Sequence, residues 1–559
     1  MESLASALAC YRRGDFASAE AACAEVLSRS TSTDALALLA DIRLAAGRAA
    51  EAIPILTRLV ELNPREPSLQ RRLGGALLST GRCAEAATVL RTAIALEPEN
   101  PRAHNNLGQA LMQLGEVEAA IASYETALGC DPRYAIGHSN LGLAYADQGE
   151  LTLAEASLRR AIDLNPALAV AHLNLGTVLE RHQRLHEALA SYEQAMALSP
   201  QLRDAWAGRA AILLKLEQPA AALESYDGAL ARNGEDATLL AGKAFALLSL
   251  NRAADALVCA DRSLAIDPAS VDGHNARAGA LWRLNRHAEA LVCIDHALTL
   301  NPAFVQGWCN RGAIAYDIGD HGAATSSYQR ALAVDPSSVL ARIRLMTSRI
   351  PPIPLSPQEA AAARSAFDEE LSRLETWLAS TAPTLSDAFI AARQSLFYLS
   401  YREESNCSRL RRYRHATATL VSRAPGAASR SAAITDADRR RFKLGFASAH
   451  VYDHSVWGAL LEGWLKCLDR TRFDITVFSV GLRRDEVTLA AMGSVDRFES
   501  GARSTSDWAR AIRECRLDAL IYPEIGMDEI TLGLASSRLA PHQLVAWGHP
   551  ETNGPADHR

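Results

Sequence analysis

The chain has 559 residues, of which 48% are hydrophobic, and a formal net charge of −6 at pH 7. This length accommodates several domains or one long solenoid, and the acidic balance argues against a general nucleic-acid binder. We expect no signal peptide and no membrane segment, because no apolar run approaches the ~20 residues that span a bilayer. The ten cysteines form no Cys-x-x-Cys pair, which excludes a zinc ribbon and favours a reducing, cytoplasmic compartment.

From the N-terminus to about residue 339, the sequence repeats with a period of 34 residues. Proline marks the period, and glycine takes its place once, at Gly234. The prolines are Pro64, Pro98, Pro132, Pro166, Pro200, Pro268, Pro302 and Pro336. Each unit has apolar residues at helical spacing on both sides of a turn such as Leu114-Gly115-Glu116, which predicts two short amphipathic helices. One unit cannot bury its apolar face alone, so the period predicts an all-α solenoid.

One unit carries Leu107-Gly108, Ala120, Tyr124, Ala127 and Pro132, and these landmarks resemble the tetratricopeptide (TPR) repeat. The resemblance covers residues 1–339 in about ten repeats. It implies an all-α, right-handed TPR superhelix whose concave face, lined by the first helix of each unit, binds protein segments. We expect small residues such as Gly108 and Ala120 where helices approach most closely.

Asparagine recurs at one position of the first helix in four units, as Asn106, Asn140, Asn174 and Asn310. We call this set the asparagine register. Its side-chain amides can donate to and accept from an extended peptide backbone of any sequence, although an ordinary polar surface position is the alternative. The pattern resembles the asparagine ladder of protein O-GlcNAc transferases, which implies peptide binding. Gly208, Gly242 and Ala276 interrupt it.

A second register contains His104, His138, His172 and His274, and tryptophan takes the same place as Trp206 and Trp308. We call this set the histidine register. Aromatic packing between helices accounts for all six residues, and a metal site is the alternative. We expect the packing and no metal site.

The period ends after residue 339, and we expect residues 340–441 to form a helical, arginine-rich connection that begins with several prolines. Ten arginines lie between residues 402 and 441. A solvated connection is one interpretation of this segment. A patch for phosphate or an acidic partner is the other.

From Phe442 onward, apolar runs alternate with helical segments. We predict strands at 442–448, 473–480, 517–522 and 543–547. This β-α-β order predicts a parallel, doubly wound sheet. Ligands bind such sheets at the carboxyl ends of the strands, which directs attention to the loops at 449–455, 523–528 and 548–554.

These loops carry a second resemblance. KLGFAS at 443–448, DHS at 453–455, LAPHQ at 539–543 and WGHPETNG at 547–554 resemble the catalytic region of the O-GlcNAc transferase family. That family includes SPINDLY-type proteins and bacterial N-glucosyltransferases, and PEIGM at 523–527 is similar to the latter branch. The resemblance implies that residues 442–559 form the N-terminal part of a GT-B, Rossmann-like domain. Such a domain transfers a sugar from a UDP-sugar to Ser, Thr or Asn of captured proteins, without a metal or another cofactor.

The resemblance also implies roles for individual residues. His454 would be the catalytic histidine on the acceptor side, acting as general base. Gly526, Gly548 and Gly554 would let the backbone approach the sugar donor. The alternatives are a helix-capping role for His454 and simple turn geometry for the glycines.

Two functional hypotheses therefore stand. The first is a UDP-sugar-dependent protein glycosyltransferase, and the second is a non-catalytic TPR scaffold for protein–protein interaction. Since Arg559 follows the last motif closely, we expect the sequence to lack the donor-binding half, and we expect no sugar turnover by these 559 residues alone. Protein segments are the expected partners in either case, and UDP-sugar is expected only with that half present.

Overall fold

A computed structural model describes residues 2–29, 32–350, 356–380, 390–391, 407–423, 441–454, 456–525 and 528–548. The chain divides into two compact units, Met1–Arg209 and Ala210–Arg559. The division falls within one helix, α13 (Arg203–Lys215).

The first unit consists of helices that pack as consecutive pairs, α1 with α2 through α11 with α12. Their bounds are α1 (Glu2–Arg12), α2 (Phe16–Arg29), α3 (Thr33–Ala45), α4 (Ala49–Leu62), α5 (Pro67–Ser79), α6 (Cys83–Leu96), α7 (Pro101–Gln113), α8 (Val117–Cys130), α9 (Ala135–Gln148), α10 (Leu151–Leu164), α11 (Ala169–Arg181) and α12 (Leu185–Leu198). The first helix of one pair also contacts the first helix of the next, as α7 contacts α9.

The second unit continues with α14 (Pro219–Asn233), α15 (Ala237–Ser249), α16 (Ala253–Ile266), α17 (Val271–Arg283), α18 (His287–Leu300), α19 (Val305–Asp317), α20 (His321–Val334), α21 (Val339–Ser348), α22 (Pro357–Ser380) and α23 (Cys407–Arg423). Helices α15 with α16, α17 with α18, and α19 with α20 form the same kind of pair. On α23, Arg409 pairs with Asp368 and Arg412 pairs with Glu375 of α22, so these two arginines serve an intramolecular contact.

The turn within each pair requires a left-handed backbone at one residue. Gly115 has φ +80°, a conformation that glycine adopts without steric cost. The same place recurs every 34 residues, and Asn251 and Asn285 occupy it at φ 59° and 60° in the second unit. The 34-residue spacing of this backbone feature confirms the helix–turn–helix repeat.

Small residues lie where the paired helices meet, as the sequence predicted. A Cβ at Gly108 would come within 2.5 Å of the Tyr124 ring, so only glycine lets α7 and α8 pack this closely. Ala120 is fully buried in the same cluster. Small residues at these positions are therefore required for the paired helices to pack.

The remainder of the second unit contains a five-stranded parallel sheet with the order β3-β2-β1-β4-β5. The strands are β1 (Phe442–Ser448), β2 (Phe473–Ser479), β3 (Arg497–Ser500), β4 (Ala519–Ile525) and β5 (His542–Gly548). The four predicted strands are confirmed, and β3 is an additional edge strand. An all-α repeat array followed by a parallel α/β region is thus the observed fold class.

Helices cover both faces of this sheet, which is typical of a doubly wound arrangement. A π-helical turn (Trp457–Leu461), α24 (Glu462–Cys467) and α25 (Glu486–Gly493) pack on one face around buried Val477. On the other face, α26 (Thr505–Glu514) and α27 (Glu529–Ala535) share a core with α21, α22 and α23. The sheet and the helices that precede it therefore share one hydrophobic core.

Candidate functional site

Three members of the asparagine register, Asn106, Asn140 and Asn174, occupy equivalent places on α7, α9 and α11 of the first unit. Nδ2 of Asn140 donates to Oδ1 of Asn105 at 2.8 Å, and Nδ2 of Asn174 donates to Oγ of Ser139 at 3.3 Å. Asn105 and Ser139 are buried in the preceding repeat. Each of these two amides is therefore held in one orientation by its neighbour.

The three amides differ in what they offer to a ligand. Asn106 and Asn140 are half-buried, whereas Asn174 is only 9% exposed. An amide with one N–H engaged still has a second N–H and the lone pairs of Oδ1. Ile136 and Leu143 lie on the same helix face as Asn140, four residues before and three after it, and both are exposed. This face of α9 thus combines a fixed amide with exposed apolar side chains.

In the second unit, Asn310 repeats the same contact. Its Nδ2 donates to Oδ1 of buried Asn275 at 2.8 Å, and its Oδ1 accepts from Nε2 of Gln306 at 2.9 Å. Since both ends of this amide have intramolecular partners, Asn310 offers less to a ligand than Asn140 does.

At two of the positions that interrupt the asparagine register, a neighbouring tyrosine ring leaves room only for glycine. A Cβ at Gly208 would come within 2.5 Å of the Tyr192 ring, and one at Gly242 would come equally close to the Tyr226 ring. An asparagine at either place would require the tyrosine to move.

The histidine register performs one structural task, which is to donate to the carbonyl oxygen of the proline six residues earlier. The distances are 2.8 Å for His104, 3.1 Å for His138 and His172, 3.0 Å for His274 and Trp206, and 2.9 Å for Trp308. Because a carbonyl only accepts, Nε2 of each histidine carries the proton. Within the part of the chain that the structure describes, no cluster of His, Cys, Asp or Glu could hold a metal ion.

The sheet order marks the other candidate site. Strands β2 and β3 lie on one side of β1, and β4 and β5 lie on the other, so the topological switch point is at the carboxyl ends of β1 and β4. His454 lies in the loop after β1. Its Nδ1 accepts a hydrogen bond from the backbone N–H of Val456 at 3.2 Å. His454 therefore caps the following helical turn, and its neutral ring carries the proton on Nε2.

Two aromatic side chains contact His454, and an arginine contacts one of them. The His450 ring stacks on it with centroids 4.3 Å apart, and the Tyr452 ring meets it edge-on at 5.5 Å. Arg483, from the loop after β2, places its guanidinium carbon 4.6 Å from the centroid of the Tyr452 ring. The sequence motif predicted His454 but not His450, Tyr452 or Arg483. Their position directly after two predicted strands is the signal that could have found them.

The two loops are tied to each other. Oδ2 of Asp485 accepts from the backbone N–H of Asp453 at 2.8 Å, and Oδ1 accepts from the N–H of Thr488 at 3.0 Å. These hydrogen bonds, that of Asp453 first, hold the pKa of the Asp485 carboxyl below its usual range. Gly481 is needed where the loops cross, because an added Cβ would collide with the carbonyl oxygen of Ala449.

Of the three glycines predicted to approach a sugar donor, Gly548 lies within the described residues. It ends β5 and pairs with Ile525 of β4. Gly526 and Gly554 lie outside the described residues, so their role stays a prediction.

Paired antiparallel helices at a 34-residue period define a class of helical repeat protein, and family models specify which one. The model described as Tetratricopeptide repeat matches residues 37–91, 71–135 and 275–339, and a second model of that description matches 171–205. A TPR repeat model matches 142–183. These residues are therefore tetratricopeptide repeats, as the sequence predicted.

Solved structures show likenesses at low identity. An O-GlcNAc transferase mutant from Thermobaculum terrenum is 17% identical, with a TM-score of 0.35, and the match covers 56% of this chain and 50% of that one. A TPR protein from Parabacteroides merdae is 17% identical over 45% of this chain and 100% of its own, with a TM-score of 0.37. A thermophilic TPR protein from Thermus thermophilus is 28% identical over 33% and 100%, with a TM-score of 0.31.

The chain thus spans about half the length of the T. terrenum structure. All three TM-scores are below 0.5. The comparison with curated proteins gave no match. None of the helices among the described residues combines the length and hydropathy needed to cross a bilayer.

Proposed function

We propose that the chain captures extended protein segments with its TPR array and that its α/β region belongs to a protein glycosyltransferase of the O-GlcNAc transferase type. In this proposal a sugar passes from a UDP-sugar to Ser, Thr or Asn of the captured protein, in the cytoplasm. The corresponding domains are residues 1–339, 340–441 and 442–559. The observation that carries the proposal is the fixed, half-exposed amide of Asn140 on a face with exposed apolar side chains.

The spacing of the repeats suits an extended backbone. Contacting helices lie about 8–10 Å apart, and an extended chain advances about 3.3 Å per residue. Amides on successive first helices, such as Asn106 and Asn140, would therefore meet every third peptide unit. Such contacts involve only the peptide backbone. Specificity for particular segments would therefore depend on apolar neighbours such as Ile136 and Val170, each 45% exposed.

The proposed role of His454 follows from its hydrogen bond. With Nδ1 accepting from Val456, the ring carries its proton on Nε2, which can donate. We propose that His454 orients an acceptor or sugar oxygen through this donor. Action as general base would require the other tautomer and loss of the Val456 bond. Gly526, Gly548 and Gly554 remain the proposed points of approach to the donor.

Sugar transfer is tested with His454→Asn, because asparagine also caps helices and preserves the local fold. Purified chain is incubated with labelled UDP-N-acetylglucosamine or UDP-glucose and an unfolded acceptor protein. We expect no transfer by the 559 residues alone. In a version extended by a donor-binding half, we expect transfer, and a loss of about 100-fold or more in His454→Asn with thermal melting unchanged. Equal transfer rates in the two extended proteins would contradict the role of His454, and transfer by the 559 residues alone would contradict the need for a donor-binding half.

One observation favours the alternative of a non-catalytic scaffold. His454 already has a complete structural task as a helix cap, which would explain its presence without chemistry. The scaffold predicts peptide capture without sugar transfer and without saturable UDP binding by calorimetry, in the extended version as well as in the 559 residues alone. Transfer to the captured protein would exclude it.

A further inference from the structure

A cleft of about 450 Å³ lies between α18 and α20, over α19, and belongs to none of the sites above. We call it the α18–α20 cleft. Trp308 and Arg311 of α19 form its base, and Asp295 and Arg330 line its two sides. Trp308 precedes Asn310 by two residues and Arg311 follows it by one. At about 100° per residue, Trp308 points to nearly the opposite side of α19 from Asn310, and Arg311 lies about 100° around the helix from it.

The cleft has an uncompensated positive charge. Arg311 is paired, since its Nε donates to Oδ1 of Asp295 at 2.6 Å and its Nη1 donates to Oγ of Ser327 at 2.9 Å. The guanidinium of Arg330 instead lies over the Trp308 ring, 5.4 Å from its centroid. Among the described residues, no carboxylate forms an ion pair with Arg330. Two guanidinium groups therefore face one carboxylate.

The free guanidinium is preorganised. Nε1 of Trp308 donates to the carbonyl oxygen of Pro302 at 2.9 Å, which fixes the ring beneath Arg330. Stacking on a fixed aromatic face restricts the guanidinium and leaves its N–H edge for a ligand. Ser326 also lines the cleft and precedes Arg330 by four residues, so its exposed hydroxyl lies on the same helix face. A planar fork beside a hydroxyl suits the oxygens of a carboxylate or a phosphate.

In two earlier repeats of the second unit, the residue that corresponds to Arg330 already has a partner within the chain. Two repeats before Arg330, Arg262 forms an ion pair with Glu235. One repeat before, His296 stacks on His274 with ring centroids 4.3 Å apart. Arg330 is an arginine, like Arg262, and it lies on an aromatic ring, like His296. Among the described residues it has no acidic partner that corresponds to Glu235.

We propose that the α18–α20 cleft binds one anionic side chain of a partner protein, a carboxylate or a phosphate ester, through Arg330 and Ser326. Arg311 and Asp295 hold the base of the cleft in place. This site is separate from the asparagine register and from the α/β region, so it is independent of whether the chain transfers sugar.

Three labelled hexapeptides that differ only in a central glutamine, glutamate or phosphoserine test the proposal by fluorescence anisotropy with the full chain. Inorganic phosphate serves as a competitor. We expect at least one anionic peptide to bind about tenfold or more tightly than the glutamine peptide. Arg330→Gln should abolish this difference, and Arg330→Lys should reduce it because lysine lacks the planar fork.

Arg262→Gln is the matched control, because it removes the same charge from the same place in the repeat where an acid already satisfies it. This variant should retain the preference for the anionic peptide within about twofold, well below the tenfold loss of a charged hydrogen bond. Preference for the phosphoserine peptide with competition by phosphate identifies a phosphate ester, and preference for the glutamate peptide identifies a carboxylate. Equal binding of all three peptides, or equal losses in Arg330→Gln and Arg262→Gln, would overturn the proposal.

Discussion

At the residue scale, one place in the repeat has a single polar task that several kinds of side chain fulfil. In most repeats a proline follows the second helix, and a residue of the next first helix donates to the carbonyl oxygen of that proline. Gln70, His138, Trp308 and Arg342 do so with four different groups, at distances from 2.9 to 3.4 Å. The shared property is an N–H within reach, which satisfies a backbone acceptor at the junction of two repeats.

His274 makes this task dependent on pH. Burial lowers its pKa below the ordinary 6.5, and His296 and Arg277 act in the same direction, whereas the bond to Pro268 and the charge of Asp267 oppose them. Between the folded and the unfolded pKa, the unfolded chain therefore binds more protons. The contribution of His274 to stability is complete above about pH 6.5 and is lost as the pH falls through the folded pKa.

His274→Gln keeps an N–H donor for the proline carbonyl but removes the titratable ring. Gln70 shows that a glutamine at this position can reach that carbonyl. We expect the urea midpoint of the wild-type chain to fall more steeply between pH 8 and pH 5 than that of the variant. Parallel curves for the two proteins would show that His274 does not titrate on unfolding.

At the scale of elements, each helix pair depends on a small residue that faces a large one. Gly108 faces the Tyr124 ring, and Gly142 faces Leu158, with an added Cβ 2.5 and 2.7 Å from the nearest side-chain atom. Interiors packed at this density do not absorb an extra methyl group without displacing a neighbour.

The same substitution at two glycines of one helix pair should have opposite effects. Gly108→Ala should cost about 1–3 kcal/mol, because the methyl group overlaps the buried Tyr124 ring. Gly129→Ala on α8 meets nothing within 4 Å and should stabilise the chain by a few tenths to about 1 kcal/mol, because alanine restricts the unfolded chain. Chemical denaturation of both variants is the measurement. A loss of stability at both sites would contradict this account of why small residues lie between the paired helices.

The sequence predicted these elements well where a pattern repeats and poorly where it does not. The 34-residue period placed the helix pairs, and the apolar runs placed four strands. It did not reveal β3, because Arg497–Ser500 is a short edge strand with charged residues and little apolar character. The left-handed turn residues Asn251 and Asn285 were also hidden, since glycine marks this turn in other repeats.

The candidate sites were likewise predicted from the sequence only where a motif or a repeat marks them. His454 was predicted through its motif, whereas Arg483 reaches the His454 cluster only because β1 and β2 are neighbours in the sheet. Likewise, the sequence predicted the asparagine register but not its orientation. That orientation comes from the preceding repeat, where Asn105 accepts from Asn140.

At the scale of the whole molecule, peptide capture and sugar transfer are separable claims, and capture is the one on which the proposed function rests. Replacing Asn140 removes its bond to Asn105 as well as its contact with a ligand. A test of capture therefore has to measure stability alongside binding, and we expect about 1 kcal/mol to be lost from that bond.

The most direct measurement is the affinity of a labelled decapeptide of alternating valine and serine, and of its backbone N-methylated counterpart, for the chain and for Asn106→Ala/Asn140→Ala. Gln194→Ala, an exposed amide on α12, is the control. We predict that the double variant binds the unmodified peptide about tenfold more weakly at a temperature where all three proteins are folded, and that the control and wild-type chains bind it equally. The N-methylated peptide should bind all three weakly. Equal affinity of the wild-type chain and the double variant for the unmodified peptide would contradict capture through the asparagine register.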